Sequence, residues 1–114
     1  MDKKYAAQEA ITHSMMGSLG LKLIEEKEGF IRASMPVNDN TSQPFGVLCG
    51  GASLAFAEII AGYGSYLCCP EGFIPVGSSV SGNHVSSVRK APDVLVYAEA
   101  TALHLGRTTH LWNV

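Results

Sequence analysis

Gly50-Gly51-Ala52-Ser53-Leu54-Ala55-Phe56-Ala57-Glu58-Ile59-Ile60-Ala61-Gly62-Tyr63-Gly64-Ser65-Tyr66-Leu67-Cys68-Cys69 decides the architecture of this chain. It reads as a helix that is apolar nearly all round, and a helix without a polar face belongs in a core. A small domain can surround such a helix only by wrapping a sheet about it. The stretch Gly46 to Cys69 is long enough to raise the question of a membrane span. However, Glu58 stands near its centre among many small residues, and a central carboxylate is costly in lipid, so no membrane partner is expected.

The flanking sequence supplies the sheet. After the helix, Val76 to Val88 alternates loosely, Pro92-Asp93 makes a turn, and Val94 to Leu105 is rich in Val, Leu, Tyr and Thr. Gly106-Arg107 breaks that run, and Thr108 to Val114 starts a third strand. Before the helix, Ala6, Ala10, Ile11, Met15 and Leu19 have helical spacing within Asp2 to Leu19, with Gly20 as a stop. Leu21 to Ile24 and Phe30 to Met35 flank a charged segment ending in Gly29 and read as a hairpin stopped by Pro36. A polar loop, Asn38 to Pro44, leads back to the glycine pair. The order helix, hairpin, buried helix, strands makes one α+β domain spanning residues 1–114.

Composition narrows the function classes. With 114 residues there is room for one domain, and with 46% hydrophobic and 16% charged residues the chain is too apolar for disorder. A formal charge of -2 gives no general attraction to nucleic acid or to an anionic membrane, so an anionic ligand needs a local basic patch. Three cysteines cannot all pair within the chain, and with the four histidines they show no zinc-ligand spacing, so no metal is expected. The start Met1-Asp2-Lys3-Lys4 is followed by no apolar run, and a cytoplasmic location with reduced thiols is the expectation.

Two features carry chemistry. Glu58 is the only charged side chain between Asn40 and Pro70, and a carboxylate on an apolar helix needs either a partner or a task. The bland alternative is a solvated notch or a paired arginine. Gly50-Gly51 places unencumbered N–H groups at the positive end of the helix dipole, where an oxyanion can be held. Two turns separate it from Glu58, so one bound group meets both only if it lies along the helix. The alternative for the glycine pair is close packing on the sheet.

The run Gln43-Pro44-Phe45-Gly46-Val47-Leu48-Cys49-Gly50-Gly51-Ala52-Ser53-Leu54-Ala55-Phe56-Ala57-Glu58 resembles the hotdog-fold acyl-CoA thioesterases of the phenylacetate-pathway type. Asn83-His84-Val85 with Arg89, and Leu103-His104-Leu105-Gly106-Arg107, look like the next two blocks of that family. Within it the chain is most similar to the 1,4-dihydroxy-2-naphthoyl-CoA hydrolases and related proofreading thioesterases. The resemblance implies a hotdog fold, an antiparallel sheet wrapped around one long buried helix. It also implies hydrolysis of an acyl-CoA thioester, with an aromatic or medium acyl group, to free acid and coenzyme A.

By position, the family's helix glutamate, as nucleophile or general base, falls on Glu58. The N–H that polarises the thioester carbonyl falls on Gly50, and the assisting glutamine falls on Gln43. The family histidine falls on His84, which the resemblance places near the site across a dimer interface. Arg89 and Arg107 match basic positions that would meet the phosphates of coenzyme A, with solvated strand ends as the alternative. No cofactor is implied beyond coenzyme A as part of the substrate, and the implied assembly is a homodimer or homotetramer.

The sequence departs from the family pattern in three places. Cys49 stands where histidine is usual, and its expected role is a small packed hydrophobe. Gly62 replaces a hydroxyl residue. The chain stops at Val114 where relatives continue into another strand, which implies a domain shortened at its C-terminus. The competing reading is a hotdog module that binds acyl-CoA without turning it over, and a dehydratase of the same fold ranks below both. Phe45, Phe56, Tyr63 and Tyr66 either line an aromatic acyl pocket or fill the core.

Overall fold

Ile31, Ala33 and Met35 alternate along one strand, and all three side chains are fully buried, which fixes the inward face of the sheet. The computed structural model describes residues 3–114, with side chains from residue 8 onward. The predicted helix start at Asp2 and the side chain of Ala6 lie outside the described residues. The elements are α1 (Lys3–Thr12), α2 (Met15–Ser18), β1 (Lys22–Lys27), β2 (Phe30–Pro36), α3 (Gly50–Cys68), β3 (Leu95–Leu105) and β4 (His110–Asn113). The four strands form one antiparallel sheet in the order β1-β2-β3-β4.

Register explains how the helix seats. Ile31 pairs with Ala100, Ala33 with Ala98 and Met35 with Val96, so the centre of the sheet presents small side chains to α3. Phe56, Ile60, Tyr63 and Gly64 of α3 point at that surface and are buried, a stripe at the i, i+4, i+7, i+8 spacing of a helix face. Tyr63 keeps its hydroxyl satisfied by donating to Glu26 Oε1 at 2.6 Å. Phe56 and Tyr63 are therefore core residues, while Phe45 is 84% exposed.

Three expectations change. The first helix does not run unbroken to Leu19: Ser14 Oγ donates to the Ile11 carbonyl at 2.9 Å, and the chain folds back into α2. Gly17 permits that fold, since a Cβ there would stand 2.8 Å from the Ile11 carbonyl oxygen. Gly20 does stop α2, with φ +73° and with the Gly20 and Leu21 N–H groups donating to Gly17 and Met16. Second, α3 is only half-buried within one chain, because four strands cover one side of it and Gly51 and Glu58 remain exposed. Third, Val76 to Val88 joins no ladder. It runs beside α3, whose backbone groups are already spent within the helix, so it finds nothing to pair with until it reaches the extended residues before Gly50.

Candidate functional site

The lead-in to α3 is locked by its own hydrogen bonds. Thr41, almost fully buried, donates through Oγ1 to the Pro36 carbonyl at 2.7 Å and accepts from the Asn38 N–H at 3.0 Å. The Cys49 N–H donates to the Thr41 carbonyl at 2.9 Å. Between them Gln43 to Val47 makes a tight turn, closed by Gln43 N–H to Val47 O at 2.9 Å and by Gly46 at φ +86°. The Gln43 side-chain oxygen accepts from the Phe45 N–H. That bond consumes the carbonyl end of the amide and leaves its NH2 end as the group Gln43 can offer a ligand.

At the start of α3 the Ala52 and Ser53 N–H groups both turn to the Cys49 carbonyl, at 3.0 and 3.3 Å. Cys49 is the N-cap but makes no side-chain cap. Among the described residues the Gly50 and Gly51 N–H groups have no backbone acceptor, so the positive end of a 19-residue helix is open to a ligand oxygen.

The segment that follows the helix returns along it in the opposite direction. A Cβ on Gly50 would meet His84 Nε2 at 2.8 Å, and one on Gly82 would meet Leu54 Cδ2 at 3.3 Å. Gly77 faces Glu58 closely enough that a Cβ there would meet the carboxyl carbon at 3.0 Å. Beyond the helix start the Leu48 N–H donates to Val88 O and the Lys90 N–H to Gly46 O, both at 2.8 Å, with Arg89 bridged to Val47. His84 therefore lies against the helix start of its own chain.

Glu58 lies two residues from both Phe56 and Ile60, which puts it on the side of α3 turned away from the sheet. It is exposed rather than buried, and among the described residues no ion pair includes it. The structure thus places Gln43, Gly50 and His84 at one end of α3 and Glu58 two turns along the helix.

The two arginines separate. Arg89 is exposed beside Val47 at the N-terminal end of α3. Arg107 sits in the turn joining β3 to β4, and β4 packs at the other end of the helix, where Trp112 Nε1 donates to Ser65 Oγ at 2.8 Å. His110 Nδ1 shares the same hydroxyl at 2.7 Å. This cluster of buried Ser65 with half-buried His110 and Trp112, which pins β4 to α3, was not legible in the sequence because the two rings lie 45 and 47 positions from Ser65.

An open cavity of about 530 Å³, lined by Val37 to Asn40 and by Lys90 to Pro92, borders the Arg89 end. Its Lys90 is engaged by Asp39 at 2.8 Å, and that ammonium holds the Asp39 carboxyl below the usual carboxylate range, first through the hydrogen bond and then through its charge. Lys90 thus already has a carboxylate partner, whereas Arg89 enters no ion pair among the described residues.

Gly77 was also passed over in the sequence, although a glycine inside a strand-like run marks close backbone approach. No helix among the described residues is long and apolar enough to cross a membrane.

Comparison with known proteins adds to this geometry. A sequence model described as the thioesterase superfamily matches residues 45–114, the part of the chain that holds Gly50, Glu58, His84, Arg89 and Arg107. A proofreading thioesterase of Cronobacter turicensis is 33% identical over 116 residues, covering 98% of this chain and 82% of that protein. A 1,4-dihydroxy-2-naphthoyl-CoA hydrolase of Escherichia coli K12 is 36% identical over 101 residues, covering 89% of this chain and 72% of that protein. The crystal structure of a thioesterase from Haemophilus influenzae superposes with a TM-score of 0.82 at 39% identity, covering 91% of this chain and 71% of the other.

Proposed function

The chain belongs to the thioesterase superfamily, and on that premise we propose that it hydrolyses the coenzyme A thioester of an aromatic or medium-length acyl group, with Glu58 as the reacting carboxylate. The observation that carries this reading is the open face of α3. It presents one carboxylate and, two turns away, uncapped N–H groups beside an imidazole, with no other charge on the helix. An oxyanion forming at the thioester carbonyl is stabilised by donors fixed in advance, and Gly50 N–H with the Gln43 amide supplies two of them. The carboxylate then either attacks the carbonyl carbon or takes a proton from the water that does. Coenzyme A enters as part of the substrate, its phosphates meeting Arg89.

Distance decides how many copies one site needs. Eight residues of helix separate Gly50 from Glu58 by about 12 Å, and a glutamate side chain recovers less than half of that. A reacting carbon must lie roughly 3–3.5 Å from its nucleophile. One thioester is therefore polarised by Gly50 of one copy and attacked by Glu58 of another, which makes the working unit a dimer or a higher even oligomer. Phe73, Ile74, Val76 and Val85, all exposed after the helix, support association, since apolar side chains left in water are commonly covered by a partner. Arg107, at the far end of its own helix, reaches a site only from a second copy.

The experiment is release of free thiol from benzoyl-, hexanoyl- and decanoyl-CoA by the wild-type chain and by Glu58→Gln, with sedimentation measured on the same samples. The amide is isosteric but neither attacks nor accepts a proton, so the variant keeps fold and assembly and loses turnover. Near wild-type release by Glu58→Gln would show the carboxylate to be structural. Binding of acyl-CoA by the wild-type chain without thiol release would make it a binding module.

A further inference from the structure

A carboxylate that attacks or takes a proton must be held to within a fraction of an ångström, and a glutamate side chain does not hold itself. Around Glu58 the usual restraint is missing, because among the described residues no cation pairs with it. Backbone lies against it instead. The returning segment brings Gly77 so close that a Cβ there would stand 3.0 Å from Glu58 Cδ, 3.5 Å from Cγ and nearer still to Oε1. Only a residue without a side chain leaves the carboxyl group where it is. At Gly82, one turn nearer the helix start, a Cβ would meet only Leu54 Cδ2, at 3.3 Å.

We infer that Gly77 is a positioning residue for Glu58: its bare α-carbon forms the wall against which the carboxylate is set. This rests on the reading of Glu58 as the reacting group.

The backbone of Gly77 lies outside the left-handed region, so its glycine is not demanded by φ. What a methyl group at position 77 would meet is the far end of a flexible side chain with solvent beyond it. The carboxylate therefore gives way while helix and segment stay in place. A packing glycine behaves in the opposite manner, losing stability and leaving chemistry alone.

The test is Gly77→Ala in the full chain, assayed with benzoyl-CoA and hexanoyl-CoA beside Gly82→Ala, Glu58→Gln and Glu58→Asp. Gly77→Ala lowers kcat by about 10- to 100-fold with KM and melting temperature unchanged, the loss expected from displacing a reacting group by up to 1 Å. Gly82→Ala leaves kcat within about twofold, as a change away from the reacting group should. Glu58→Asp, one methylene shorter, draws the carboxylate back from its closest approach to the added methyl, so Gly77→Ala has a smaller further effect in that background. In carbon NMR the Glu58 carboxyl resonance moves in Gly77→Ala and not in Gly82→Ala, a readout independent of turnover.

Full activity of Gly77→Ala beside an inactive Glu58→Gln overturns the inference and leaves the function standing. So does a Gly77→Ala protein that unfolds or melts several degrees lower, which would make position 77 a packing site. An active Glu58→Gln removes the functional reading itself, and the inference with it.

Discussion

Gly62 and Gly64 stand two residues apart on α3, and alanine at each should shift stability in opposite directions. A Cβ on Gly64 would stand 2.5 Å from Trp112 Cη2, 2.9 Å from Trp112 Cζ2 and 3.0 Å from Ile31 Cγ1. Neither neighbour yields easily, since Ile31 is fully buried and the Trp112 indole is tethered to Ser65 at 2.8 Å. Overpacking of this kind costs about 1–3 kcal/mol. Displacing the indole also removes a hydrogen bond worth about 0.5–1.5 kcal/mol. The gain from replacing glycine within a helix is about 1 kcal/mol, so Gly64→Ala should be destabilised by about 1–3 kcal/mol. At Gly62 a Cβ meets nothing within 4 Å, and Gly62→Ala should gain about 1 kcal/mol. Urea unfolding at unchanged m reads the difference. Trp112 is the only tryptophan, so its emission should move to the red in Gly64→Ala alone. Equal stabilisation of both variants, with unmoved emission, would refute the seating of Trp112 against the helix.

Two further outcomes follow from the site's surroundings. Cys49, half-buried at the N-cap and making no cap hydrogen bond, acts as packing, so Cys49→Ala should cost roughly 1 kcal/mol and change thiol release only a few-fold. An acylated Cys49 trapped by mass spectrometry, together with loss of hydrolysis in Cys49→Ala, would reverse that. The Asp39 carboxyl, held low by Lys90, contributes to stability at pH values above the ordinary carboxylate range and loses that contribution as the pH falls through its lowered folded value. Its carbon NMR titration should have a low midpoint that returns to the ordinary range in Lys90→Met and rises toward it in high salt, because the pair is exposed.

The sequence by itself determined the class of the fold and singled out the candidate site residues of α3. An apolar helix in so short a chain demands a sheet, and a glycine pair followed two turns later by a lone glutamate is a local pattern within one element. Helical geometry alone converts that spacing into distance. Gly20 and Gly29, both at positive φ, were legible as punctuation for the same reason: their conformations are set by near neighbours.

Only the tertiary structure decided which face of α3 meets the sheet, because an all-apolar helix offers no polar stripe to orient it. The choice falls to small residues at the sheet centre, Ala33, Ala98 and Ala100, and to the room that Gly64 leaves for Trp112. The course of the segment after the helix was equally hidden. Its alternation from Val76 to Val88 promised a ladder, but a strand needs a partner with free backbone groups, and the helix beside it has none. The separation of Arg89 from Arg107 and the contacts of Gly77 with Glu58 and of Gly50 with His84 depend on that course. They are long-range consequences of where the chain turns back after Cys69, which no run of neighbouring residues encodes.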